Sequence, residues 1–124
     1  MQPSTQARLM FADAANYYWI NQYNASIVKV DKGTNAATAL ASGQPSPYGF
    51  AIDDKNVYWT SASNPGTLST CAIAPADGGV GSGCGGAPTF LVQNLNQANS
   101  LVVDAKAIYW ITQNTGGGVF KLVK

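Results

Sequence analysis

The fold of this chain follows from the stretch Phe50-Ala51-Ile52-Asp53 and, after three intervening residues, Val57-Tyr58-Trp59-Thr60, because the same pattern occurs three times. The repeats align on the pairs Tyr18-Trp19, Tyr58-Trp59 and Tyr109-Trp110. An Asp precedes each Tyr by five positions, at Asp13, Asp53 and Asp104, and an apolar run precedes each Asp. A match in register at several positions indicates an internal repeat.

Each unit continues beyond its Trp with a polar turn and a second run of β-forming residues, and a fourth run closes the first two units. The repeat Trp residues stand at positions 19, 59 and 110, so the spacing is 40 and then 51 residues. A repeat of about 40 residues with four short strands is typical of a β-propeller blade. The segments are short, β-branched and aromatic, with Gly and Asn between them, which excludes helical repeats.

The sequence therefore predicts an all-β fold of β-propeller blades with four antiparallel strands each, in three repeats. The last blade lacks its outer strand. We predict one propeller fragment over residues 1–124. Its blades lie at about 5–43, at about 46–94 with a loop insertion between Cys71 and Cys84, and at about 97–124.

At these residues the sequence resembles the YWTD-type six-bladed propellers of low-density-lipoprotein-receptor ectodomains and related secreted bacterial propellers. The resemblance covers essentially the whole chain and implies half of a six-bladed propeller. The fourth letter of the motif, Asp, is replaced here by Asn21, Ser61 and Thr112. That Asp is thought to tie neighbouring blades together in the receptor family, so the resemblance implies the architecture and not the receptor function.

The repeated aromatic pair is expected to pack the blades together. Adjacent strand residues point to opposite faces of a sheet, so the Tyr and Trp of one pair would fill the gaps to the two neighbouring blades. We expect Trp19 and Trp110, in the terminal units, to approach a partner chain. The recurring Asp is expected to hold the first turn through backbone amides; the alternative is a ring of three Asp ligands for a cation.

The two cysteines, Cys71 and Cys84, enclose a segment that is rich in Gly. We predict a disulfide that closes this loop, which implies an oxidising compartment and hence an extracellular or periplasmic location. The alternative is two buried free thiols in a cytosolic protein. The first residues show no basic segment followed by an apolar stretch, so the chain carries no visible secretory signal.

The composition argues against most catalytic chemistry. The chain has no His, and all six acidic residues are Asp. Ser-His-Asp sites, Cys-His sites and His-containing zinc sites are therefore excluded. We predict no enzyme, no cofactor and no metal. The net charge is +1 without a basic stripe, which argues against nucleic acid, and the apolar stretches are too short to span a membrane.

Propellers close with about four to eight blades, so three blades call for a partner. We expect a homo-oligomer, with two copies forming a six-bladed ring; the alternative is a piece of a longer propeller. The predicted function is a non-catalytic binding scaffold, with a carbohydrate-binding propeller or a fragment of a larger propeller enzyme as alternatives. A glycan or protein ligand would bind near the axial opening. The candidate ligand-binding residues are Tyr23, Tyr48, Arg8, Asn99 and Gln97.

Overall fold

The computed structural model describes residues 7–73, 84 and 87–124, and their regular structure consists of β-strands. The described residues contain no helix that could cross a membrane. The strands are β1 (Ala7–Ala12), β2 (Asn16–Asn21), β3 (Ser26–Asp31), β4 (Ala37–Ala41), β5 (Pro47–Ile52), β6 (Asn56–Ser61), β7 (Gly66–Ala72), β8 (Thr89–Leu95), β9 (Ala98–Val103), β10 (Ala107–Thr112) and β11 (Val119–Val123).

The strands form three antiparallel sheets in which neighbours along the sequence are neighbours in space. Sheet 1 contains β1 to β4, sheet 2 contains β5 to β8, and sheet 3 contains β9 to β11. The all-β prediction is confirmed, as are the three blades and the missing outer strand of the last one, within the described residues. These sheets stop short of a closed ring.

The sheets stack face to face through their innermost strands, β1 against β5 and β5 against β9. Two apolar layers result. The layer between sheets 1 and 2 contains Tyr18 and Trp59, and the layer between sheets 2 and 3 contains Tyr58 and Trp110. All four side chains are buried. The period of two along a strand explains this arrangement, because it sends Tyr58 and Trp59 to opposite faces of sheet 2.

Candidate functional site

The repeated Asp closes the first hairpin turn of every sheet. In sheet 2, Asp53 Oδ1 accepts hydrogen bonds from the backbone N–H groups of Lys55 and Asn56 at 2.9 and 2.8 Å. Its other oxygen, Oδ2, accepts one from the Tyr58 hydroxyl at 2.7 Å. The carboxylate therefore ties the turn to the aromatic side chain that fills the next gap.

The same three hydrogen bonds occur around the other two repeat residues. Asp13 accepts from two turn amides and from the Tyr18 hydroxyl, all at 2.7 Å. Asp104 accepts from two turn amides and, at 3.2 Å, from the Tyr109 hydroxyl. Each carboxylate is thus occupied in its own turn. Among the described residues, no three His, Cys, Asp or Glu side chains come together as a metal site, so the cation ring finds no support there.

Electrostatics at Asp53 are set by one further contact. Partial burial acts to raise the pKa of Asp53, but the Lys124 ammonium, which donates to Oδ2 at 2.7 Å, and the hydrogen bonds of the turn lower it to about 2. Burial and the neighbouring Asp53 carboxylate raise the pKa of Tyr58 to about 12. Lys124 follows β11, so this ion pair also connects sheet 3 to sheet 2.

The Tyr-Trp pairs face in a constant direction. In each gap between two sheets, the repeat Tyr comes from the earlier sheet and the repeat Trp comes from the later one. Each of these Tyr residues thus points toward the next sheet, and each of these Trp residues points toward the preceding sheet. Trp110 therefore lies between sheets 2 and 3, where it is 6% exposed and stacks on Phe120 with 5.8 Å between ring centroids. The expectation that Trp110 would approach a partner chain was wrong. In the third pair it is Tyr109 that lies on the other face of sheet 3, which no described sheet covers.

Two sheet faces have no neighbouring sheet among the described residues, and we call them the first face and the last face. The first face belongs to sheet 1, where Met10 pairs with Trp19 and is 69% exposed. The last face belongs to sheet 3, where Val102 pairs with Tyr109 and is 64% exposed. Shallow apolar depressions of about 280 and 150 Å³ lie on the two faces. Exposed apolar surface of this kind marks interaction sites.

Side-chain bonds between sheets come from residues that the sequence did not single out. Thr60 Oγ1 accepts a 2.9 Å hydrogen bond from Gly49 N and donates a 2.5 Å bond to the Asn99 carbonyl of sheet 3. Gln22 Nε2 donates to the Pro47 carbonyl at 3.2 Å, which connects sheet 1 to sheet 2. The sequence signal for the bond between sheets 2 and 3 is Thr60 itself, which follows the repeat Trp directly in the Tyr-Trp-Thr motif.

The residues two positions after each repeat Trp bond to the connections near them. Asn21 accepts a bond from the Tyr23 amide at 3.1 Å, and Ser61 donates to the Pro45 carbonyl at 2.5 Å. Thr112 accepts a 3.4 Å bond from the Gly118 amide. Asn21 and Thr112 thus stabilise the turns that follow their own strands, and Ser61 holds the connection between sheets 1 and 2. Side-chain hydrogen bonds between sheets come instead from other residues, including Thr60 and Gln22.

A disulfide joins Cys71 and Cys84, with 5.6 Å between their Cα atoms. It lies against sheet 1, because the Cys84 amide donates to the Leu40 carbonyl at 3.1 Å and Cys71 belongs to the same apolar layer as Leu40. The disulfide therefore supports the contact between two sheets as well as closing a loop. Most of the predicted loop insertion, at 74–83 and 85–86, lies outside the described residues.

The structure brings two of the five candidate ligand-binding residues into contact. The Arg8 guanidinium lies 3.8 Å from the ring centroid of Tyr48. Tyr23 is exposed on the turn between β2 and β3. Asn99 is buried and its carbonyl accepts from Thr60, whereas Gln97 is exposed and its carbonyl accepts from the Gln113 amide at 3.3 Å.

Comparisons with known proteins show the fold alone. No protein-family model matches the sequence, and no curated protein matches it. Among solved structures, the computationally designed Ika4 protein is similar at a TM-score of 0.70 and 11% identity, over 94% of this chain and 65% of that one. A chain of the Nidogen/Laminin complex is similar at a TM-score of 0.71 and 17% identity, over 98% of this chain and 48% of that one. The chain thus spans between about half and two thirds of the length of these neighbours.

Proposed function

We propose that this chain is a non-catalytic interaction scaffold that assembles through its two open faces, with two copies forming a ring of six blades. One observation carries the proposal. Each enclosed gap receives a Tyr from one sheet and a Trp from the next, and the open faces offer the two missing halves of a third such gap. Trp19 lies on the first face without a Tyr opposite it, and Tyr109 lies on the last face without a Trp opposite it.

Repeat equivalence extends this match to the innermost strands. Between sheets 1 and 2, Phe11 and Phe50 meet with 5.5 Å between ring centroids. Phe11 pairs with the repeat Tyr of its sheet and Phe50 with the repeat Trp of its own. The residues in the same two positions on the open faces are Val102 and Met10. In the proposed ring Val102 of one copy contacts Met10 of the other.

Two copies are the simplest assembly that uses both faces of every chain. A first face cannot cover another first face with the Tyr-to-Trp order of the enclosed gaps, so the contact is head to tail. Head-to-tail contacts produce a closed ring when the rotation closes, and six blades lie within the range that propellers adopt. The same contact covers the exposed apolar residues on both faces, which would otherwise favour aggregation.

The Cys71–Cys84 disulfide supports an extracellular or periplasmic location for this assembly. Disulfides persist in oxidising compartments and are rare in the reducing cytosol. A small blade assembly outside the cell would also gain from a covalent link beside the contact of sheets 1 and 2.

Light scattering tests the assembly. We expect a mass of about twice 12.9 kDa for the unmodified chain. Met10→Glu and Val102→Glu should each give monomers, because a carboxylate buried without a partner in the contact is costly, while both positions are exposed in a single chain. Phe90→Glu is the matched control, since Phe90 is a 51% exposed aromatic residue in the middle sheet; it should leave the mass unchanged.

A charge exchange sharpens the test. The double variant Met10→Lys with Val102→Glu should recover the doubled mass, because each contact then holds one charge of each sign. A monomeric unmodified chain, or a doubled mass in both single Glu variants, would overturn the proposal.

A further inference from the structure

Charged residues are distributed unequally between the two ends of the sheets. We call the end with the Asp turns the turn end and the opposite end the loop end. Every described Asp belongs to the turn end, in a turn or at the end of a strand beside one: Asp13, Asp31, Asp53, Asp54 and Asp104. The described Lys residues lie at the same end. Two of them, Lys29 and Lys121, lie within strands, and their positive charges favour the ionised carboxylates of Asp31 and Asp104.

The loop end is built from uncharged segments. The connections at this end are residues 22–25, 42–46, 62–65, 96–97 and 113–118, and their side chains are amides, hydroxyls, apolar groups and glycine. Arg8, near the start of β1, supplies the charge at this end within the described residues. The salt bridge found among the described residues joins Lys124 and Asp53. No described carboxylate lies within ion-pairing distance of Arg8.

A β-bulge aims Arg8 at sheet 2. Arg8 pairs with Ile20 and Met10 pairs with Trp19, so the register shifts at Leu9 between them. Leu9 has a φ of 49°, in the left-handed region that a bulky side chain rarely occupies. The shift places Arg8 on the same side as Ile20, toward Tyr48. The first hairpins of sheets 2 and 3 also contain register shifts near the start of their innermost strands, and in sheet 1 the shift orients Arg8.

Arg8 retains donors that the described residues do not satisfy. Its Nε is buried and has no hydrogen-bond partner there. The guanidinium carbon lies 3.8 Å from the ring centroid of Tyr48, so the ring covers one side of the group. A guanidinium presents its donors in a planar fork that matches a carboxylate with two parallel hydrogen bonds. Because Nε is shielded from solvent, a carboxylate would be received by the terminal NH2 groups of the guanidinium.

We propose that Arg8 and Tyr48 bind the carboxylate of an acidic saccharide, of the glucuronide type, at the loop end. A single cation matches a single carboxylate, whereas a polyanion needs a row of cations. The loop-end connections contain several Asn and Gln residues, whose amides suit the hydroxyl groups of a sugar. Tyr23, 67% exposed on the same end, offers an aromatic ring on which a sugar can stack. The site is formed within one chain, and Arg8 also borders the depression on the first face.

Matched ligands test the site by titration followed through the NMR signals of the protein. Methyl glucuronide and methyl glucoside differ only in the carboxylate. We expect the glucuronide to bind at least tenfold more tightly than the glucoside, and acetate to bind more weakly than the glucuronide. Equal binding of the two sugars would overturn the role of Arg8, equal binding of acetate would overturn the saccharide class, and no binding at millimolar concentrations would overturn both.

Variants identify the residues. Arg8→Gln should weaken glucuronide binding at least tenfold, and Tyr48→Leu should weaken it severalfold because the guanidinium loses its support. Lys106→Gln removes one positive charge at the turn end and should change nothing. Glucuronide binding by Arg8→Gln at the strength of the unmodified chain would overturn the proposal. Light scattering on the same samples separates a lost site from a lost assembly.

Discussion

Tyr58 donates its hydroxyl hydrogen bond to the carboxylate of Asp53, five residues earlier, and the same relationship recurs in all three sheets. In sheets 1 and 2 the bond links a surface turn to a side chain that is buried between two sheets. The turn cannot rearrange without disturbing the packing of Tyr58, and the packing holds the turn in place. The constant spacing of Asp and Tyr in the sequence is therefore a constraint on the contact between blades.

Acid should weaken the fold through Asp53. Its pKa is about 2 in the folded chain against an ordinary 3.8, so the carboxylate stabilises the fold above about pH 4 and this contribution is lost as the pH falls toward 2. Asp53→Asn should reduce the free energy of unfolding by about 1–2 kcal/mol at pH 7 and by much less at pH 2. Urea unfolding across this range measures it. Asp54→Asn, an exposed neighbour, is the control; an equal loss in both variants would contradict the prediction.

Alkali should act in the opposite sense on Tyr58. Its pKa is raised to about 12 from 10.0, so its stabilising contribution is present below pH 10 and is lost as the pH rises through 12. Burial and the Asp13 carboxylate also raise the pKa of Tyr18, so ultraviolet absorbance should show tyrosinates that form late in the titration, and Tyr58→Phe should reduce the amplitude of that late step. Tyr23→Phe, at an exposed position, is the control and should leave the late step in place. A titration in which Tyr58→Phe loses an early step would refute the assignment.

The bonds from Asp53 Oδ1 to the turn could be predicted from the sequence, but the bond of its second oxygen, Oδ2, to Tyr58 could not. Asp before a tight hairpin commonly accepts from the amides that follow, so Asp53 indicates the bonds to Lys55 and Asn56. The hydroxyl bond depends on where strand β6 places the ring of Tyr58, which only the assembled hairpin determines. The spacing of five residues between Asp and Tyr is the sequence signal for this bond, but its interpretation requires the register of the two strands.

Thr60 should show how much the hydroxyl contact between sheets 2 and 3 contributes. Thr60→Val keeps the shape of the side chain and removes both hydrogen bonds, so the buried Gly49 amide and Asn99 carbonyl lose their partner. We expect a loss of about 1–3 kcal/mol in the free energy of unfolding. Thr60→Ser keeps the hydroxyl and should lose less. Chemical denaturation compares the two, and a Val variant as stable as the unmodified chain would exclude this contribution.

Gly49 should be intolerant of a side chain. A Cβ at this position would clash with the Asn99 carbonyl oxygen and approach Thr60 Oγ1 to 2.8 Å. Because Asn99 belongs to β9, which packs against β5, Gly49→Ala should push these strands apart and cost about 1–3 kcal/mol of stability. Gly118→Ala is the control, since its nearest atom lies at 4.0 Å. Thermal unfolding that shifts equally in both variants would contradict the close approach.

The directions in which Tyr109 and Trp110 point could be predicted only in part from the sequence. Alternation along a strand predicts that Tyr109 and Trp110 point to opposite faces. It does not say which face belongs to which neighbour, because this depends on the direction in which successive sheets stack. The structure places every enclosed Trp toward the preceding sheet, which buries Trp110 and leaves Trp19 on the first face. Expecting both terminal Trp residues to meet a partner ignored this direction.

The disulfide should stabilise the contact of sheets 1 and 2 together with the loop. The two cysteines are 13 residues apart, and closing such a loop contributes roughly 3 kcal/mol in the chain-entropy account. The variant with Cys71→Ser and Cys84→Ser should lose up to that amount, and it should also weaken the packing at Leu40, where the Cys84 amide donates.

Two measurements separate these effects of the disulfide. Denaturation with and without a reducing agent should change the stability of the unmodified chain and leave the double variant unchanged. Hydrogen exchange should rise in β4 as well as in β7 when the bridge is absent, because the bridge rests against Leu40. Exchange that rises only in β7 would show that the bridge acts on its own sheet alone, and a stability indifferent to reduction would show that it acts on neither.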